Sequence, residues 1–186
     1  MGLATLQAVG MIEFNSVAAG IQGADVMVKA ASVGALMMKT VCPGKFVVAV
    51  HADVGSVQAA MDAGLEAVPG TVLDHFVIPN IDPAVIQAMS CATDRMRGAA
   101  LGVVETFSAA SCIVAADTGV KAADVDLVEV RIAMGLGGKA FCLMAGDVGP
   151  VEMAVAAAAA AAGRTGMLVR QVVIPSLAPQ VRQHIL

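Results

Sequence analysis

The chain has 186 residues, of which 58% are hydrophobic and 14% charged, with a formal net charge of −4. That balance excludes a disordered chain. The 11 Lys and Arg form no basic run and there is no Trp or Tyr, so a nucleic-acid partner would find neither a cationic footprint nor a stacking platform.

The longest run of small residues, 153–163, is too short for a membrane span of about 20 residues, and no charged start precedes an apolar stretch near residue 1. The expectation is a cytoplasmic chain without a membrane partner. Its four cysteines, Cys42, Cys91, Cys112 and Cys142, form no CxxC pair and are expected to be unpaired. The low charge for so much apolar material predicts burial between subunits.

In chain order, 8–14 reads as an apolar strand. Asn15 or Ser16 is placed to cap a helix over 18–31. Strands over 36–41 and 46–50 flank a tight Cys-Pro-Gly-Lys turn. Asp53 can cap a helix over 54–67, and a fourth strand over 72–78 ends at Pro79. A short helix follows Asp82-Pro83, with proline in the favoured first turn. The charged stretch 93–97 is the linker, and the order then repeats. Residues 10–33 and 102–125 share 12 identical positions, including Glu13/Glu105, Ser16/Ser108, Ile21/Ile113, Asp25/Asp117 and Lys29/Lys121. Gly44-Lys45 recurs as Gly138-Lys139, Asp53-Val54-Gly55 as Asp147-Val148-Gly149, and Ile78-Pro79 as Ile174-Pro175. The chain is therefore expected to hold two α+β domains, 1–92 and 98–186. Each is ferredoxin-like in its βαββαβ order, an antiparallel four-stranded sheet with helices on one side.

Most candidate sites read as structural. Asp25–Lys29 and Asp117–Lys121 have the spacing of surface helix pairs worth a few tenths of a kcal/mol. Glu13 and Glu105 have no accompanying nucleophile or histidine, so hydrogen bonding is expected of them rather than acid–base chemistry. His51, His75 and His184 lack metal-ligand spacing. The glycine-rich stretch before Lys139 lacks the phosphate-loop spacing and precedes a strand. No set of residues points to an enzyme.

The segments GMIEFNSVAAGIQGADVMVKAASV and GVVETFSAASCIVAADTGVKAADV, with the PGKF and GGKAF loops, resemble the tandem-domain shell proteins of bacterial microcompartments, built from BMC domains. KTVCPGKF and AMGLGGKAF favour the propanediol-utilisation type, in the unpermuted strand order. The resemblance implies a structural protein in a microcompartment shell within the cytoplasm. Three chains would form a pseudo-hexameric homotrimer, with other shell proteins and an encapsulated redox enzyme as partners. It implies that Lys29 and Lys121 lie at the tile edge and touch neighbouring tiles. It places two loops at the central pore: Val41, Cys42, Pro43 and Gly44 from the first copy, and Gly135, Leu136, Gly137 and Gly138 from the second.

Cys42 stands out, because a cysteine in a tight loop is exposed where a core cysteine is not. A single thiolate cannot hold a cluster, but a loop on a three-fold axis presents three. Thiolates are the usual ligands of iron–sulfur clusters. The resemblance implies one [4Fe-4S] cluster per trimer, ligated by Cys42 of each subunit, with electron transfer across the shell as its use. The alternative is a tile with an open metabolite pore and no cluster, selecting solutes by size and lining polarity.

Overall fold

The computed structural model describes residues 6–90, 96–132 and 135–185. Cys91, linker positions 93–95 and Met134 lie outside these. The first copy runs β1 (Ala8–Phe14), α1 (Val17–Ala30), β2 (Gly34–Val41), β3 (Lys45–Ala52), α2 (Val54–Ala67), β4 (Val72–Pro79) and α3 (Pro83–Met89). The second runs β5 (Ala100–Thr106), α4 (Ala109–Ala122), β6 (Asp126–Ile132), β7 (Ala140–Gly146), α5 (Val148–Arg164), β8 (Leu168–Ile174) and α6 (Pro179–Ile185). The sheets are ordered β2-β3-β1-β4 and β6-β7-β5-β8. In the first, β1 pairs antiparallel with β3 and β4, and β2 with β3. This is the ferredoxin-like α+β arrangement expected.

Local chemistry sets the boundaries. Ser16 is extended at φ −140°, ψ 132°, and its Oγ accepts from the Ala19 amide at 3.4 Å, so α1 starts at Val17, one residue before the expected 18. Asp53 caps α2: Oδ1 accepts from the Ser56 amide at 2.9 Å and Oδ2 from the Ser56 hydroxyl at 2.6 Å. β2 starts at Gly34 and β3 continues to Ala52, both beyond their expected ends, because Gly34 pairs with His51. A side chain at Gly34 would meet the His51 ring at 2.4 Å, so the imidazole lies across the glycine. Pro79 is the last residue of β4, an edge strand, where its missing N–H costs no ladder bond.

The alternation of β1 sends Ile12 and Phe14 to the helix side, where they pack with Met27, Met61, Phe46 and Val48. Gly20 permits this: a Cβ there would lie 2.5 Å from Cβ of Phe46, so only glycine lets α1 approach β3 so closely.

Two compact units result. The first is the initial copy as far as Pro83 together with Ser108–Ser111 and Ile132–Lys139; the second comprises Ala84–Phe107, Cys112–Arg131 and the chain from Ala140 onward.

Candidate functional site

The turn from β2 to β3 begins at buried Val41, and Cys42, Pro43 and Gly44 are all exposed. The Cys42–Pro43 bond is cis, and Gly44 takes φ +70°, the left-handed conformation that closes a tight turn without a Cβ penalty. The Cys42 thiol is free. The loop after β6 is built in the same way, with Gly135, Gly137 and Gly138 at φ +71°, +61° and +88°. The Lys139 amide donates to the Leu136 carbonyl at 3.1 Å. Both loops belong to the first unit, and they touch. Lys45 Nζ donates to the Gly138 carbonyl at 3.2 Å, and a side chain at Gly138 would meet Pro43 Cδ at 2.9 Å.

Beneath this turn lies a charged anchor. Glu13 on β1 is fully buried, and its Oε1 accepts from Lys45 Nζ at 2.8 Å. Its Oε2 accepts from the amides of Ala109 at 2.8 Å and Ala110 at 3.4 Å, the first turn of α4. Those amides have no intrahelical acceptor and carry the positive end of the helix dipole, so a carboxylate suits them. Beside them, Asp74 accepts from the Ser111 hydroxyl at 2.6 Å and from the Ser108 hydroxyl. Ser108 in turn caps α4, accepting from the Ser111 amide at 3.0 Å. Glu13 is therefore a hydrogen-bonding residue, as expected. Lys45, Asp74 and Ser108 were not singled out from sequence. The joint recurrence of Glu13 with Gly44-Lys45 in the second copy was the available signal.

The tile-edge candidates form i,i+4 helix pairs, the Lys29–Asp25 pair exposed and the Lys121–Asp117 pair with a buried aspartate. Lys29 Nζ lies 2.6 Å from Asp25, and Lys121 Nζ lies 2.6 Å from Asp117. Each lysine sits in the last turn of its helix, where a cation complements the dipole.

The donor chemistry limits where a cluster fits. Among the described residues, no group of three or more His, Cys, Asp and Glu could hold a metal. Cys112 and Cys142 are buried in α4 and β7. A hydrogen bond to Cys142, together with burial, raises the Cys112 thiol well above its ordinary value, away from the thiolate form that binds metals. Cys42 is the exposed free thiol among the described residues. Its soft sulfur fits an iron–sulfur cluster only if other copies of the chain supply further thiolates.

Comparison with known proteins gives a consistent result. Residues 8–81 and 100–177 each match the BMC domain family. The chain is 44% identical over 169 residues to the bacterial microcompartment shell protein PduT of Citrobacter freundii, covering 91% of this chain and 92% of that one. It is 41% identical over 75 residues to the shell protein PduA of Salmonella typhimurium, covering 39% of this chain and 80% of that one. A crystal structure of a microcompartment protein from Desulfitobacterium hafniense superposes with a TM-score of 0.83 at 49% identity, covering 95% of this chain and 98% of that one.

Proposed function

The chain belongs to the BMC-domain family of bacterial microcompartment shell proteins, of the tandem PduT type, and from that premise we propose that three copies form a tile holding one [4Fe-4S] cluster through Cys42 of each subunit. The observation that carries the proposal is the Cys42 thiol, free and exposed in a turn whose base is tied down by Lys45 and Glu13. The second copy's loop offers glycines and Leu136 but no thiol, so a trimer presents three thiolates and not six. When bound, such a cluster supplies one-electron transfer, which suits exchange between an encapsulated redox enzyme and the outside of the shell. This chain's part is to bind and orient. Cys42 supplies the thiolate, Pro43 and Gly44 hold the turn, and the Lys45–Glu13 pair fixes its base. Lys29 and Lys121 are the contacts from one tile to the next shell protein.

The test is anaerobic purification followed by visible and low-temperature paramagnetic spectra with iron and sulfide assays. The wild type is expected to carry about four irons per trimer. Cys42→Ser is expected to lose them while keeping its fold and trimeric mass, because an alcohol is a harder and far less acidic ligand. Iron retained in Cys42→Ser would refute the assignment. A wild type without iron after reconstitution would make the tile an open pore instead.

A further inference from the structure

Gly44 and Gly138 are repeat equivalents that precede Lys45 and Lys139. Both take a left-handed φ, +70° and +88°, but their surroundings differ. A Cβ at Gly44 would meet no atom of the chain within 4 Å, and the same holds at Gly135 and Gly137. Those three glycines serve the backbone alone. Gly138 is buried, and a Cβ there would lie 2.9 Å from Pro43 Cδ, 3.2 Å from Lys45 Nζ and 3.3 Å from Lys45 Cε. Its carbonyl accepts from the same Lys45 Nζ at 3.2 Å. The second copy's loop thus closes onto the Cys42 turn at Gly138.

Neither neighbour gives way freely. Lys45 is held from behind by Glu13, whose Oε1 accepts from Nζ at 2.8 Å and whose other oxygen receives two helix amides. Pro43 is a closed ring with a fixed φ, so its Cδ does not swing aside like the end of a flexible side chain. Displacing the ring displaces the peptide it shares with Cys42. We propose that Gly138 is a positioning residue for the Cys42 thiol. Its bare Cα seats Pro43 and its carbonyl holds Lys45, so each copy brings its thiolate to the shared cluster in the same place.

The second copy's loop offers the cluster no ligand of its own and fixes the ligand that the first copy supplies. Groups behind a metal ligand set its orientation in this way, and metal affinity falls when they are lost. The inference rests on the cluster proposed above and names what sets the place of its thiolate.

Cd²⁺ alone, added to the reduced apoprotein, reports the meeting of thiolates through its ultraviolet thiolate absorption and needs neither iron nor sulfide. The wild type is expected to bind one Cd²⁺ per trimer and Cys42→Ser none. Gly138→Ala is expected to weaken Cd²⁺ binding by about 10–100-fold, whereas Gly137→Ala, strained in the same left-handed way but clear of Pro43, should stay within about two-fold of the wild type. Iron content after reconstitution should fall in the same order. Gly138→Asn brings the same Cβ on a residue that tolerates left-handed backbone, and serves where Gly138→Ala does not fold. Circular dichroism and sedimentation establish the fold and the trimer mass of each variant. A wild type that binds neither Cd²⁺ nor iron, or whose binding survives Cys42→Ser, overturns the cluster assignment and the positioning role together. Binding that Cys42→Ser abolishes but that a folded, trimeric Gly138→Ala or Gly138→Asn retains at wild-type affinity overturns the positioning role alone. So does an equal loss in Gly137→Ala, which would make backbone strain the cause. Unfolding of both Gly138 variants also overturns it, because Gly138 would then hold the fold and not the thiol.

Discussion

Lys45 Nζ lies 2.8 Å from Glu13 Oε1, with the lysine side chain 14% exposed and the glutamate fully shielded. The pair joins the base of the Cys42 turn to the middle of the sheet. It also balances a carboxylate that receives two backbone amides on its other oxygen. Buried charges in such an arrangement are tolerated because each has partners, and removing one strands the other.

Glu13→Ala is therefore expected to destabilise the fold by about 3–5 kcal/mol, since it leaves the Lys45 ammonium and the Ala109 and Ala110 amides short of an acceptor. Glu13→Gln, which keeps the shape and one acceptor oxygen, should cost less. Urea unfolding midpoints of the two variants and the wild type check the order; equal midpoints for Glu13→Ala and the wild type would contradict it.

Asp53 is held below its ordinary value of 3.8 by hydrogen bonds from the Ser56 hydroxyl and the Ser56 amide. The folded state thus prefers the ionised form. Its stabilising effect is complete above the unfolded value and is lost as the pH falls through the lower folded one. Asp53→Ala should lower the melting temperature at neutral pH, and the gap from the wild type should close as the pH falls from 3.8 through the lower folded value. Melting curves at several pH values test this; a gap that widens in acid would have the wrong sign.

Native apoprotein should react with a small alkylating agent at Cys42, while Cys112 and Cys142 stay unmodified until the chain is unfolded. Exposure favours the first, and burial with a raised thiol value protects Cys112. Peptide mapping by mass after brief and denaturing treatment reads the order, and early labelling of Cys112 would count against the core placement of α4.

Lys29→Ala with Lys121→Ala should abolish ordered two-dimensional sheets of the protein in electron micrographs and leave the trimer mass unchanged. The Lys29–Asp25 pair is on the surface and contributes about 0–1 kcal/mol to folding; Lys121 is paired with Asp117, whose side chain is only 9% exposed, so its replacement is expected to lower the melting temperature more than that of Lys29, without unfolding the chain. Intact sheets in the double variant would remove both lysines from the tile edge.

The repeat, the βαββαβ order and the Asp53 cap were legible in the sequence because they rest on local chemistry. Strand alternation, a carboxylate three residues before a hydroxyl and its amide, and Pro79 at a strand end are written within a few positions of one another. The exposure of Cys42 was legible too, since Pro-Gly after it makes a turn and a turn lies at the surface. What tertiary structure alone decided is the meeting of distant groups. Glu13 and the Ala109 amide are 96 positions apart, and Asp74 and Ser111 are 37 apart. No spacing in the chain encodes that a strand carboxylate will face a particular helix start. Nor does the repeat say that Ile21 is exposed where Ile113 is buried. Identical residues on identical elements share their local conformation, but their solvent exposure is set by what the fold brings against them.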